Sequence, residues 1–158
     1  MIDPIVRAEL LIRRPVAEVF EAFIDPAITS RFWFSRGTAK LTPGAELTWM
    51  WEMYGASTAV KVLEIEPNRL IRIDWNNASD PTRVEWRFAE RGTDQTWVEI
   101  ENSGFAGDEP TRLTTAIDST GGFSLVLAGA KIWLEHGIEP NFVLDRHPDR
   151  RVEGWKDR

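Results

Sequence analysis

Residues 5–34 read IVRAELLIRRPVAEVFEAFIDPAITSRFWF. The first eight residues are rich in apolar side chains and stop at Arg13-Arg14-Pro15, the profile of a first or edge strand. Pro15 suits a first helical position, and Val16, Val19, Phe20 and Phe23 then share one helical face while Glu18 and Glu21 take the other. Asp25-Pro26 breaks that helix, and Pro26 opens a second short one reaching about Phe32. One strand followed at once by two short helices is a distinctive order.

Outward from that stretch, residues 37–103 read as consecutive strands. Leu47, Trp49, Trp51 and Met53 alternate with Thr48, Met50, Glu52 and Tyr54, a period of two. Residues 58–66 are rich in Val, Ile and Leu, and Pro67-Asn68 turns the chain. Ile71, Ile73 and Trp75 alternate with Arg72 and Asp74, and residues 76–81 read as a loop. Val84, Trp86 and Phe88 form the next apolar row, followed by a hairpin at residues 91–94 and by Val98 and Ile100. Short strands with tight turns imply an antiparallel meander with one solvated face. Beyond residues 107–110 the period becomes helical: Leu113, Ala116, Ile117, Phe123, Leu127, Ala130 and Leu134 keep one phase if the helix runs through Gly121-Gly122. Two interior glycines cost roughly 1 kcal/mol each relative to alanine, so close packing against the sheet or room for a guest must compensate. Gly137 suits the helix end.

Strand, two short helices, a meander and one long helix is the order of an α+β helix-grip fold. Several segments resemble the SRPBCC (START-like) superfamily. Residues 14–23, RPVAEVFEAF, resemble its opening, and Ser30-Arg31-Phe32-Trp33-Phe34 the tryptophan-bearing end of its second short helix. Residues 63–71, LEIEPNRLI, resemble its turn between the fourth and fifth strands, and residues 101–105, ENSGF, its strand end before the long helix. Gly121-Gly122-Phe123 stands where many relatives carry Gly-Trp, with Leu127 and residues 131–135, KIWLE, after it. Taken in order, these resemble the branch named after the activator of a heat-shock-protein ATPase, over residues 5–137. Phe123 for the usual Trp, Asn102 for a frequent His, and the extra tail depart from the pattern. The resemblance implies a curved antiparallel sheet of about six to seven strands wrapped on the long C-terminal helix, with a cavity between them.

At 158 residues the expected organisation is one helix-grip domain over residues 1–137 and a C-terminal extension over residues 138–158, partly packed or disordered. The apolar residues 138–144 are expected to pack back on the domain or on a second copy, which allows a homodimer. A net charge of -6 argues against nucleic acid and against attachment to anionic lipid. The absence of cysteine excludes disulfides, thiol catalysis and thiolate zinc sites, and two histidines do not make an imidazole-rich metal centre. No metal and no cofactor is expected. Residues 1–11 lack the features of a signal peptide, and the uncharged residues 119–130 are too short to span a bilayer, so no membrane association and a cytoplasmic location are expected.

The chemistry sought in the chain is sparse. A hydrolase triad finds only His136, placed at a helix end, and His147, read as a tail residue. Glu52, Asp74, Glu85, Glu99 and Glu101 fall on the parity opposite the apolar faces and read as solvated, so no catalytic residue is assigned. The unusual number is eight tryptophans beside eight phenylalanines, which fill a core or line a cavity. The ligand-cavity candidates are Trp49, Trp51, Trp75, Trp86, Phe88, Gly122, Phe123 and Leu127. Asn102 shares the inward parity of Val98 and Ile100, as a satisfied core amide or as a bond to a ligand. The reading is a binding protein for a hydrophobic or aromatic small molecule. The alternatives are a polyketide-cyclase-like enzyme using the same cavity and a co-chaperone-type interaction module.

Overall fold

A computed structural model describes residues 3–77 and 80–155 of the chain. The strands are β1 (Val6–Ile12), β2 (Arg36–Gly37), β3 (Glu46–Trp51), β4 (Ala56–Glu66), β5 (Leu70–Asn77), β6 (Asp80–Arg91) and β7 (Gln95–Ser103). The helices are α1 (Val16–Ile24), α2 (Pro26–Thr29), α3 (Glu109–His136) and α4 (Phe142–Arg146). All strands join one antiparallel sheet in the order β1-β7-β6-β5-β4-β3-β2.

Each strand of the meander buries one face. Val60 and Val62, Ile71 and Ile73, Val84, Trp86 and Phe88, and Val98 and Ile100 all lie inward and almost fully covered. The outer face is a ladder of ion pairs: Arg72 with Glu64 and Glu85, Arg87 with Glu85, Arg83 with Asp74, and Arg7 with Glu101. Burial pushes the Glu85 carboxyl up, but hydrogen bonds from Arg72 and Arg87 outweigh it and hold it below the usual value. A break in register between Val62 and Glu64 bends β4 and helps curve the sheet.

Two local expectations change. The alternation through Met53 ends at Trp51, because Glu52–Tyr54 wind into a single 3-10 turn closed by Gly55 at φ 62°, a left-handed conformation that glycine adopts without strain. Of the expected loop at residues 76–81, Asn77 instead pairs with Asp80 as the strands continue; Ala78 and Ser79 lie outside the described residues.

The long helix runs unbroken through Gly121-Gly122. Asp108 caps its start by accepting from the Thr111 N–H, and Gly137 ends it at φ 68°. Its buried face carries Ala116, Phe123, Val126, Leu127 and Ala130, whereas Leu113 and Ile117 point outward, Ile117 with 74% of its surface exposed. The expected stripe was therefore wrong in its first part, and the geometry says why. At about 100° per residue, Ala116 to Leu127 closes three turns to within about 20°, while Ile117 to Leu127 falls about 80° short. The C-terminal half of α3 also protects the edge strand β1. Lys131 Nζ donates to Leu11 O at 2.8 Å, and Glu135 accepts from the Arg13 N–H at 2.8 Å.

One half of the space between sheet and helix is filled. The Asp25-Pro26 break folds α1 and α2 over the sheet, bringing Phe20 within 5.2 Å of Phe88 and Phe23 within 6.0 Å of Trp86, ring centre to ring centre. Phe32 meets Phe23 edge-on at 5.5 Å. These rings are all nearly covered and belong to the main core.

Candidate functional site: a cavity at one end of the sheet

The other half is hollow. A cavity of about 520 Å³ lies between α3 and the sheet end formed by β3, the start of β4, and the facing ends of β5, β6 and β7. Its apolar wall is Trp33, Trp51, Trp75 and Phe123. Trp33 is the partition, with Trp49 at 4.9 Å and Trp86 at 6.0 Å on the filled side, and Trp75 at 5.6 Å and Phe123 at 5.8 Å toward the hollow. The Trp75 Nε1 is buried and has no hydrogen-bond partner among the described residues.

The space exists because α3 offers small residues where it passes this end. Thr115, Ser119 and Gly122 face the cavity, and Ala106 closes the loop before the helix. Three polar sheet and helix residues are tied together. Asn102 donates from Nδ2 to Thr82 Oγ1 at 3.1 Å and to Arg83 O at 2.8 Å, and its Oδ1 accepts from the Ser119 hydroxyl at 2.8 Å. The Asn102 amide is thus satisfied by protein, joining β6, β7 and α3.

Residues 138–155 turn back at Gly137 and cover one side of the cavity. The Tyr54 hydroxyl lies 2.6 Å from Val143 O and 2.9 Å from Leu144 O, and accepts from the His147 N–H at 3.4 Å. Val152 N–H donates to Met53 O at 2.8 Å. Val143, Arg146 and His147 consequently stand on the cavity wall. Arg146 Nη2 donates to Asp118 O at 3.1 Å and to Asp118 Oδ1 at 3.2 Å.

That contact explains the paired glycines. A Cβ at Gly121 would lie 2.9 Å from Arg146 Nη2, and one at Gly122 would lie 3.0 Å from Arg146 Nη1. The glycines make a seat for the guanidinium; neither a sheet residue nor α1 comes as close. The place where α3 does touch backbone is Gly129, whose Cβ would meet Phe32 Cβ at 3.1 Å and Phe32 O at 3.3 Å.

Of the residues named from sequence, Trp51, Trp75, Asn102, Gly122 and Phe123 line the cavity. Trp49, Trp86, Phe88 and Leu127 lie away from it, in the filled core, with 2%, 1%, 6% and 1% of their surface exposed. Trp33, Tyr54, Thr82, Asp118, Ser119, Arg146 and His147 line it and were not foreseen as doing so. The sequence places His147 in the tail and its carboxylate candidates on the strands, whereas His147 stands on the wall and Asp118 comes from α3. The Trp33 position had a sequence signal in the helix break at Asp25-Pro26. Arg146 and His147 had none, since only the folding back of the tail brings them there. Among the described residues no three His, Asp or Glu side chains gather as a metal site would require, and no helix is long and apolar enough to cross a membrane.

A curved antiparallel sheet holding one long helix, packed at one end and hollow at the other, defines the helix-grip, START-like class of protein. Within that class the chain belongs to the family described as Activator of Hsp90 ATPase homolog 1-like protein, whose model matches residues 13–127. No curated protein is detectably similar to it. Among solved structures it is similar to protein SSP2350 from Staphylococcus saprophyticus, at 25% identity and TM-score 0.73, covering 86% of this chain and 95% of that one. It is similar to DynU16, described as a putative protein in the dynemicin biosynthetic locus, at 20% identity and TM-score 0.77; the match covers 87% of this chain and 49% of DynU16, so the chain spans about half of it. It also resembles the Aha1 dimer from Colwellia psychrerythraea, at 15% identity and TM-score 0.71, over 85% of this chain and 98% of that one.

Proposed function

We propose that this chain is a cytoplasmic binding protein for a hydrophobic or aromatic small molecule, held between the sheet and α3. The observation that carries this reading is the cavity of about 520 Å³ walled by Trp33, Trp51, Trp75 and Phe123. Its volume falls in the range of small-molecule sites, and its aromatic wall with a few polar groups at one end is the usual make-up of such sites. Burial of apolar surface would drive binding at ~25 cal/mol per Å². In this reading residues 1–137 are the binding domain and residues 138–158 an extension, of which Val143, Arg146 and His147 complete the wall. Titration with flat aromatic compounds should quench tryptophan emission saturably, because the rings of the wall are the emitters. Ala56→Trp, which puts an indole into the cavity from the strand position opposite Trp51, should abolish the titration while leaving the fold intact. Absence of saturable quenching with any planar aromatic, or equal quenching in Ala56→Trp, overturns the reading.

A cyclase-like use of the same cavity has one observation in its favour: the His147 side chain stands on the wall beside the Tyr54 ring, 6.1 Å between centres. It is tested by product analysis of bound polyketone substrates, with His147→Ala as control. A homodimer is favoured by the outward Leu113 and Ile117 on α3 and by the relative named as a dimer. Light scattering at rising concentration tests it, with Ile117→Lys expected to give the monomer.

A further inference from the structure

We infer that the cavity selects neutral aromatic guests bearing a carbonyl oxygen, and that Arg146 Nη1 is the group that recognises it. This rests on the binding reading above. The charged side chains on the cavity wall are Asp80, Asp118 and Arg146, with His147 the further titratable imidazole. Arg146 uses only Nη2 on Asp118, and among the described residues Nη1 has no hydrogen-bond partner. Nη1 is held against Gly122, the cavity-lining member of the glycine pair, at a point where any side chain would displace it. Two helix-interior glycines are a standing cost to α3, and the structure shows what they make room for: a guanidinium fixed in position at the wall. Its pairing with Asp118 cancels its charge locally. A carboxylate guest would gain Arg146 but meet Asp118 and Asp80, so the site favours an oxygen acceptor without a formal charge. The aromatic wall takes the planar body, and the free N–H takes a ring ketone or quinone oxygen.

Three compounds of one skeleton separate the terms: fluorene, 9-fluorenone and fluorene-9-carboxylate, each titrated by tryptophan quenching against the full chain. Fluorenone should bind at least about tenfold tighter than fluorene, the effect of one hydrogen bond from a charged donor, and the carboxylate should bind weakest. Arg146→Met should bring fluorenone down to the affinity of fluorene without changing fluorene itself. Because Arg146 also holds the C-terminal segment, Asp118→Asn is the second variant. It leaves the guanidinium in place but uncancelled, and should raise carboxylate affinity about tenfold while fluorenone stays within about threefold. Equal binding of fluorene and fluorenone, tightest binding of the carboxylate by the unaltered chain, or a ketone preference that survives Arg146→Met overturns the inference while leaving the cavity a binding site. If fluorene and fluorenone both fail to quench, the binding reading falls and this one with it.

Discussion

The two ends of the grip are built from the same sheet and the same helix, yet one is solid and the other hollow. At the solid end α1 lowers Phe20 onto Phe88 and Phe23 onto Trp86, and Phe32, just past α2, packs edge-on against Phe23. At the hollow end neither α1 nor α2 descends, and α3 contributes Thr115, Ser119 and Gly122 where large side chains would be needed to fill the gap. Trp33 stands between the two. A cavity here is a matter of which element delivers side chains to which end, since the inner face of the sheet is aromatic at both.

The comparison can be broken most directly at the solid end. Phe23→Ala should cost about 3–5 kcal/mol in urea denaturation, because its ring is enclosed on every side. Trp51→Ala at the hollow end removes a larger ring and should cost less than about half of that, since one side already faces open space. Similar losses for the two would mean that the cavity is filled in solution.

The polar tie at the hollow end comes next. Asn102→Leu strands the Ser119 hydroxyl and Arg83 O, and should destabilise by about 1–3 kcal/mol with no guest present. A neutral result would return the amide to a ligand-facing role.

A smaller contrast lies in acid. Burial pushes the Glu135 carboxyl up, but the Arg13 N–H and Lys131 outweigh it and hold it below its ordinary 4.5. A depressed folded value means that this stability is present above the unfolded value and is lost as pH falls below about 4.5 through the folded one. Glu135→Gln should therefore flatten the acid limb of the stability profile. An acid limb in Glu135→Gln that matches the unaltered chain would show that the Arg13 N–H and Lys131 do not fasten the filled end through this carboxylate.

The smallest effect is expected at Gly122→Ala. It gains up to ~1 kcal/mol of helix propensity and pushes Arg146 Nη1 aside, so the melting temperature should move little. The overpacking expected of a glycine against the sheet does not arise, because the neighbour is the end of a flexible side chain. A loss well above 1 kcal/mol would place a rigid neighbour there instead.

Much of the fold was legible. The Asp25-Pro26 break, the alternation of Val84, Trp86 and Phe88, and the helical run after Asp108 each state a local preference, and the structure keeps all three. The cavity was legible only in part. Parity says that Trp49, Trp75, Trp86 and Asn102 face inward, but not how far along each strand the inner face stays covered. Trp86 and Trp75 share that face, and only the position of α1 and α2 assigns one to the core and the other to the wall.

The sequence by itself determined the elements, their order and the inward set of side chains, because strand and helix periods are short-range properties of the backbone. Tertiary structure alone decided that the inner space is unequal, that Asp118 meets Arg146 across 28 residues, and that Gly121-Gly122 serves as its seat. Those contacts join residues with no periodic relation to one another. They arise when the chain turns back at Gly137, and their position is set by the three-dimensional path of the segment rather than by any local pattern.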